Sequence, residues 1–174
     1  MKKACIVVPK YLENNIIFDE TSNLNRDCIF NKYIELKNEF KNYGYSLSTS
    51  DINKIEDSEI ILYYDVPNIL PKKIKINSSY LILMESEVII PENFNKKKHD
   101  FFNKVFTWHD KLVDGEKYFK VNFSHKFPKR IDPNIEMKQK LCVLIAGNKK
   151  VSHPLELYSK RIEAIRWFEK NHPD

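Results

Sequence analysis

The sequence predicts an α/β domain built on a mainly parallel sheet. Three observations carry that expectation. Several short runs are continuously apolar and rich in β-branched residues. An amphipathic helical pattern follows the first of them. Polar or proline-bearing segments separate the rest. Unbroken apolar runs mark strands buried on both faces, and their alternation with helices marks βαβ units.

Residues 4–8 form the first run, and Pro9 ends it. The stretch to Asn25 is polar and reads as a loop. Asp27 is placed to cap the helix that follows. Ile29, Tyr33, Leu36 and Phe40 recur at steps of four, three and four, so they line one helical face. Gly44 stops that helix, as a left-handed C-cap requires. A second strand begins at residues 45–47, and residues 51–55 form a short helical turn. Residues 60–64 and 80–84 are strong buried strands. Residues 99–103 suit a short helix, 104–108 a further strand and 118–121 a weaker one.

Residues 1–126 thus read as one domain. Residues 127–139 carry Pro128, Lys129, Arg130, Asp132 and Pro133, a polar connection of the kind found between domains. From residue 140 the pattern restarts. Residues 141–146 suit a strand, 147–152 a loop, and Pro154 the opening of a helix. Leu155, Tyr158, Ile162, Ile165 and Phe168 give that helix an apolar stripe. Residues 140–174 therefore read as the first strand and helix of a second α/β domain that is cut short.

Composition narrows the function. Apolar residues make up 42% of the 174, enough for a core. Only 3 glycines occur, which excludes glycine-rich phosphate loops. Net charge is +5, spread along the chain, and no aromatic residues interleave the runs at Lys72–Lys73 and Lys96–Lys98. Nucleic-acid binding is not expected. Cys5, Cys28 and Cys142 are an odd set at long spacings, without a CxxC pair. Neither a disulfide framework nor a metal site is expected. Cys5 and Cys142 lie inside apolar runs and read as small buried residues. The N-terminal apolar run is too short for a signal peptide or a membrane span, so a cytoplasmic protein is expected.

In open parallel sheets, ligands bind at the carboxyl ends of strands. Three places qualify. Glu85-Ser86-Glu87 follows the 80–84 strand directly, where a carboxylate beside apolar residues suits a general base, or is simply an acidic loop. Gly147 to Ser152 leads into the second helix with Lys149, Lys150 and Arg161 nearby. That is either an anion site or a solvated arginine face. Asn25-Arg26-Asp27 is either a ligand contact or a cap and surface pair. His109 and His125 follow predicted strands, and surface or satisfied histidines are the expected reading.

These residues resemble a known family. Leu83-Met84-Glu85-Ser86-Glu87 through Pro91-Glu92-Asn93-Phe94 is similar to the "W-E-S-P…P-x-N" stretch of family 10 glycosyltransferases, the α-1,3/1,4-fucosyltransferases in bacterial form. Phe101 through Asp114 resembles their "F-D-K-I-F-T-W-N-D-x-L-V-D" stretch. Lys140 through Lys149, then Ser152 through Ile165, resembles the start of their donor-binding domain. Leu24 through Asp27 and the segment 51–64 also fit.

The resemblance implies two Rossmann-like domains of GT-B type, the first holding an acceptor glycan and the second GDP-fucose. It implies inverting transfer of fucose without a metal or other cofactor. Glu85 would be the general base and Glu87 the fallback. Glu87 stands where the family often has proline, and Met84 where it often has tryptophan. Asn148, Lys149, Ser152 and Arg161 would face the donor. Asn25, Arg26 and His109 would lie on the acceptor side. Most of the family's donor domain has no counterpart here, so a truncated form, inactive alone, is expected. A non-catalytic glycan binder, half of a split enzyme completed by a partner chain, and an unrelated Rossmann-like protein with a basic groove stay open. So does peripheral membrane association, with lipopolysaccharide a family-level acceptor.

Overall fold

The computed structural model describes residues 1–127, 129–140 and 143–172. The chain divides into two compact units, Met1–Phe127 and Pro128–Asp174.

Unit 1 is an α/β fold of Rossmann-like type. Its strands are β1 (Lys2–Val7), β2 (Tyr45–Thr49), β3 (Ile60–Tyr64), β4 (Ser79–Leu83), β5 (Lys104–Thr107) and β6 (Tyr118–Lys120). Among the described residues they form one sheet in the order β2-β1-β3-β4-β5-β6, and every pairing is parallel. Parallel pairing explains the continuous apolar runs: Ala4, Cys5 and Ile6 are all fully buried, because both faces of β1 are covered.

One face packs Cys5, Ile61, Tyr63, Leu81, Leu83, Phe102 and Val105 together. The other packs Ala4, Ile6, Leu47 and Leu62 against Leu36 and Phe40 of α1 (Asn31–Asn42). Phe18 and Val8 pack on this second face beside α1. An apolar trough of about 450 Å³ remains between it and Tyr80, Ile82, Phe106 and Phe123.

Gly44 ends α1 as expected, at φ +82°. Its N–H donates to the Lys41 carbonyl at 3.0 Å. Asp27 does not cap the helix. It takes a left-handed conformation, φ 54°, in a separate 3-10 turn, and α1 begins four residues later. The entry is held instead by Asn25, whose Oδ1 accepts the Phe30 N–H at 2.8 Å. Ile29 accordingly falls outside the helix and stays exposed, while Tyr33 is buried. The short helix expected over 99–103 lies earlier, as α2 (Lys96–His99). There His99 and Phe102 both turn inward.

In unit 2 the strand expected over 141–146 is not found at residues 143–146, and residues 141 and 142 lie outside the described residues. Val143 and Ile145 are 80% and 91% exposed. A β-branched run becomes a strand only when a neighbour accepts its ladder, and none is present among the described residues of unit 2. The helix expected from Pro154 begins later, as α3 (Tyr158–Asn171). Glu156 sets that start, its carboxylate accepting the Tyr158 and Ser159 N–H groups at 2.6 and 3.0 Å. The anion also suits a helix N-terminus electrostatically. Leu155 therefore precedes the helix.

Candidate functional site

The strand order reverses between β1 and β3, because the chain leaves β1 toward β2 and returns past it to β3. Crevices at such switch points, outside the carboxyl ends of the strands, are where open α/β sheets bind ligands. The register fixes which residues stand along that carboxyl edge, from β3 outward. Tyr64 pairs with Ile82 and Leu83 with Thr107, so Asp65, Glu85 and His109 all follow the ladder within two residues.

Glu85 is exposed. Its main chain, in contrast, is tightly held. The Glu85 N–H donates to Asp65 Oδ1 at 3.1 Å, and its carbonyl accepts from Asn93 Nδ2 at 3.0 Å. Asp65 Oδ1 also accepts the Met84 N–H at 2.6 Å and Asn93 Nδ2 at 2.7 Å. Asn93 Oδ1 accepts the Val66 N–H at 2.9 Å. Asp65 takes a left-handed conformation, φ 62°, and is 4% exposed. Burial pushes its carboxyl above the usual range, although the Met84 and Glu85 amides and Asn93 pull the other way.

The network continues inward. His99 Nε2 lies 3.1 Å from the Asn93 carbonyl, and Nδ1 lies 3.1 Å from the Tyr118 hydroxyl. Burial holds the His99 imidazole below its ordinary pKa. His99 is thus a buried, satisfied histidine.

His109 is half-buried between Phe94 and Trp108, each 5.6 Å away between ring centroids. Its Nδ1 is buried without a hydrogen-bond partner. Tyr33 and Tyr64 also meet at this end, 6.1 Å apart. Burial first, and then Tyr64, push the Tyr33 hydroxyl far up. No hydrogen bond of acceptable geometry joins the two rings, so the Tyr33 hydroxyl stays unpartnered.

The remaining sequence candidates are dispersed. Asn25 is spent inside its own loop, bonding the Glu20 carbonyl and the Phe30 N–H. Arg26 is exposed. Glu87 is half-buried beyond Glu85. In unit 2, Asn148, Lys149 and Arg161 line one hollow of about 170 Å³ with Tyr158, and the Arg161 guanidinium lies 5.2 Å from the Tyr158 ring. Ser152 borders a different hollow, beside His153 and Glu156. Arg161 is exposed, the solvated arginine face of the two readings its position leaves open. Among the described residues, no group of His, Cys, Asp and Glu is arranged to hold a metal ion, and no helix is long and apolar enough to cross a membrane.

Neither Asp65 nor Asn93, the asparagine of the stretch matched to P-x-N, is a site candidate by sequence. The signal was an aspartate closing an apolar strand just before Val66-Pro67. Its partner lies 28 residues away, which spacing alone does not reveal. No family model, curated protein or solved structure matches this chain.

Proposed function

We propose that unit 1 is the acceptor-side domain of an inverting, fucosyltransferase-like glycosyltransferase, with Glu85 as its general base. The observation that carries the reading is Glu85 itself. It is an exposed carboxylate just past the end of β4, at the carboxyl edge of the sheet and one strand beyond the switch point, on a main chain anchored at both its N–H and its carbonyl. The resemblance of residues 83–94 and 101–114 to the fucosyltransferase stretches adds the reaction.

In that reaction an acceptor hydroxyl oxygen attacks the anomeric carbon of GDP-fucose. The bond from that carbon to the diphosphate oxygen breaks, the configuration inverts, and the hydroxyl proton passes to Glu85. The diphosphate leaves with the bonding electron pair, a developing charge that cations such as Lys149 and Arg161 suit. The chemistry calls for no metal or other cofactor. Unit 2 holds one α-helix and no strand among its described residues, a small part of a nucleotide-sugar site. Residues 1–174 accordingly bind acceptor saccharide and by themselves do not turn over GDP-fucose.

Saturation-transfer NMR with N-acetyllactosamine, extended by a glycan array, tests this. Saccharide binding is the expected result, with no fucose transfer from labelled GDP-fucose by the chain alone. Absence of binding to every saccharide on the array overturns the acceptor-side reading. Robust turnover by the chain alone overturns the division of labour.

A further inference from the structure

We propose that Asp65 and Asn93 are positioning residues that set Glu85 for proton removal; the inference rests on Glu85 being the base. Glu85 lies beyond the last paired residue of β4, Leu83, where the ladder no longer fixes the backbone. Both of its main-chain polar groups are nevertheless held, and by side chains. The two holders are buried, 4% and 0% exposed, and bonded to each other at 2.7 Å. Asn93 is itself fixed through Val66 on one side and through His99 and Tyr118 on the other. Segments following β3 and β4, the turn Pro91–Phe94, α2 and β6 are thereby braced onto one another at the carboxyl edge of the sheet.

Simple loop satisfaction does not account for this arrangement. Main-chain groups at an exposed turn are satisfied by water. Here a carboxylate is buried with three donors, none of them cationic, which is a costly way to tie down a loop. Asp65 is not the base itself. It is closed from solvent, and Oδ1 is committed to the three donors. What the pair determines is where the Glu85 carboxylate stands. A base must come within ~2.6–3.2 Å of the proton it takes, and an error of ~1 Å in such a group costs on the order of 10²-fold in rate.

The test uses the full chain labelled with ¹⁵N and with ¹³C at glutamate carboxyl carbons. Amide hydrogen exchange is read at Met84 and Glu85. N-acetyllactosamine is then titrated while the Glu85 carboxyl resonance is followed. In Asp65→Ala and Asn93→Leu, exchange at both amides is expected to rise at least tenfold. The saccharide-induced shift at Glu85 is expected to vanish, or to need at least tenfold more saccharide. Asp65→Asn keeps an oxygen acceptor at the same place and is expected to restore both readouts to within threefold of wild type. Should Asn93→Leu fail to fold, Asn93→Ser takes its place. If wild type and both disruptive variants show the same saccharide shift at equal affinity, the positioning inference is overturned and the base reading stands. If wild type shows no saccharide effect at Glu85, although amide protection behaves as expected, the base reading fails and the positioning role falls with it.

Discussion

Replacing Asn93 with leucine should be the most damaging single polar change in unit 1. The side chain is fully buried and makes three bonds: to the Asp65 carboxylate, the Glu85 carbonyl and the Val66 N–H. Leucine makes none of them. One charge-assisted bond is lost, and two main-chain groups lose their partners, for a destabilisation of about 3–5 kcal/mol. In a domain of this size that lowers Tm by roughly 10–20 °C. Differential scanning calorimetry reads it directly. Asn95→Leu, two residues away on an exposed side chain, should stay within ~0.5 kcal/mol of wild type. Asn93→Asp adds a pH signature. Two carboxyls then meet in a buried site, and the pair's folded pKa rises above its unfolded value. Stability from the shared proton is present below the unfolded carboxyl pKa and is lost as pH rises through the folded one. Asn93→Asp should therefore approach wild type in acid and fall away toward neutral pH. An Asn93→Leu loss under 1 kcal/mol, or an Asn93→Asp deficit that does not change with pH, refutes the bonding scheme.

The strands of unit 1 were legible because burial on both faces imposes unbroken apolar runs. Ile60 to Tyr64 could hardly be anything else, and the observed strand has those bounds. Gly44 was legible for a local reason, since a positive φ at a helix end favours the residue without a Cβ. What failed depended on partners. Val143 to Ala146 has strand composition but no neighbouring strand among the described residues. Asp27 has cap chemistry, yet Asn25 reached the first free N–H of the helix approach. Glu85 is a candidate for its place after a strand, and the register puts it two residues past the end of β4, with its side chain exposed. The buried carboxylate is Asp65 instead. Its bonds to Met84, Glu85 and Asn93 join positions 19 to 28 residues apart, and local pattern carries no trace of them.

Further expectations follow from the core and the buried histidine. Burial holds the His99 pKa below its unfolded value near 6.5, so the unfolded chain takes up a proton that the folded chain refuses. Stability should fall as pH drops below about 6.5, and His99→Gln should flatten that part of the curve in urea titrations compared across pH. Phe102→Ala removes a fully buried ring packed edge-on to Tyr63 at 5.2 Å, and should cost about 3–5 kcal/mol by chemical denaturation. Ile145→Ala, on a side chain 91% exposed, should cost under ~0.5 kcal/mol in the same assay. Gly44→Ala forces a Cβ into a left-handed conformation and should cost about 1 kcal/mol, although nothing lies within 4 Å of the added atom.

The central claim is that Glu85, at the carboxyl end of β4, meets an acceptor sugar. Mapping the ¹H–¹⁵N spectrum of the whole chain during an N-acetyllactosamine titration tests it most directly. Saturable shifts are expected, centred on Met84, Glu85 and the neighbouring strand ends at Asp65 and His109, with Glu85→Gln still binding within a few-fold. Shifts confined to unit 2, or none at saturating saccharide, would contradict it.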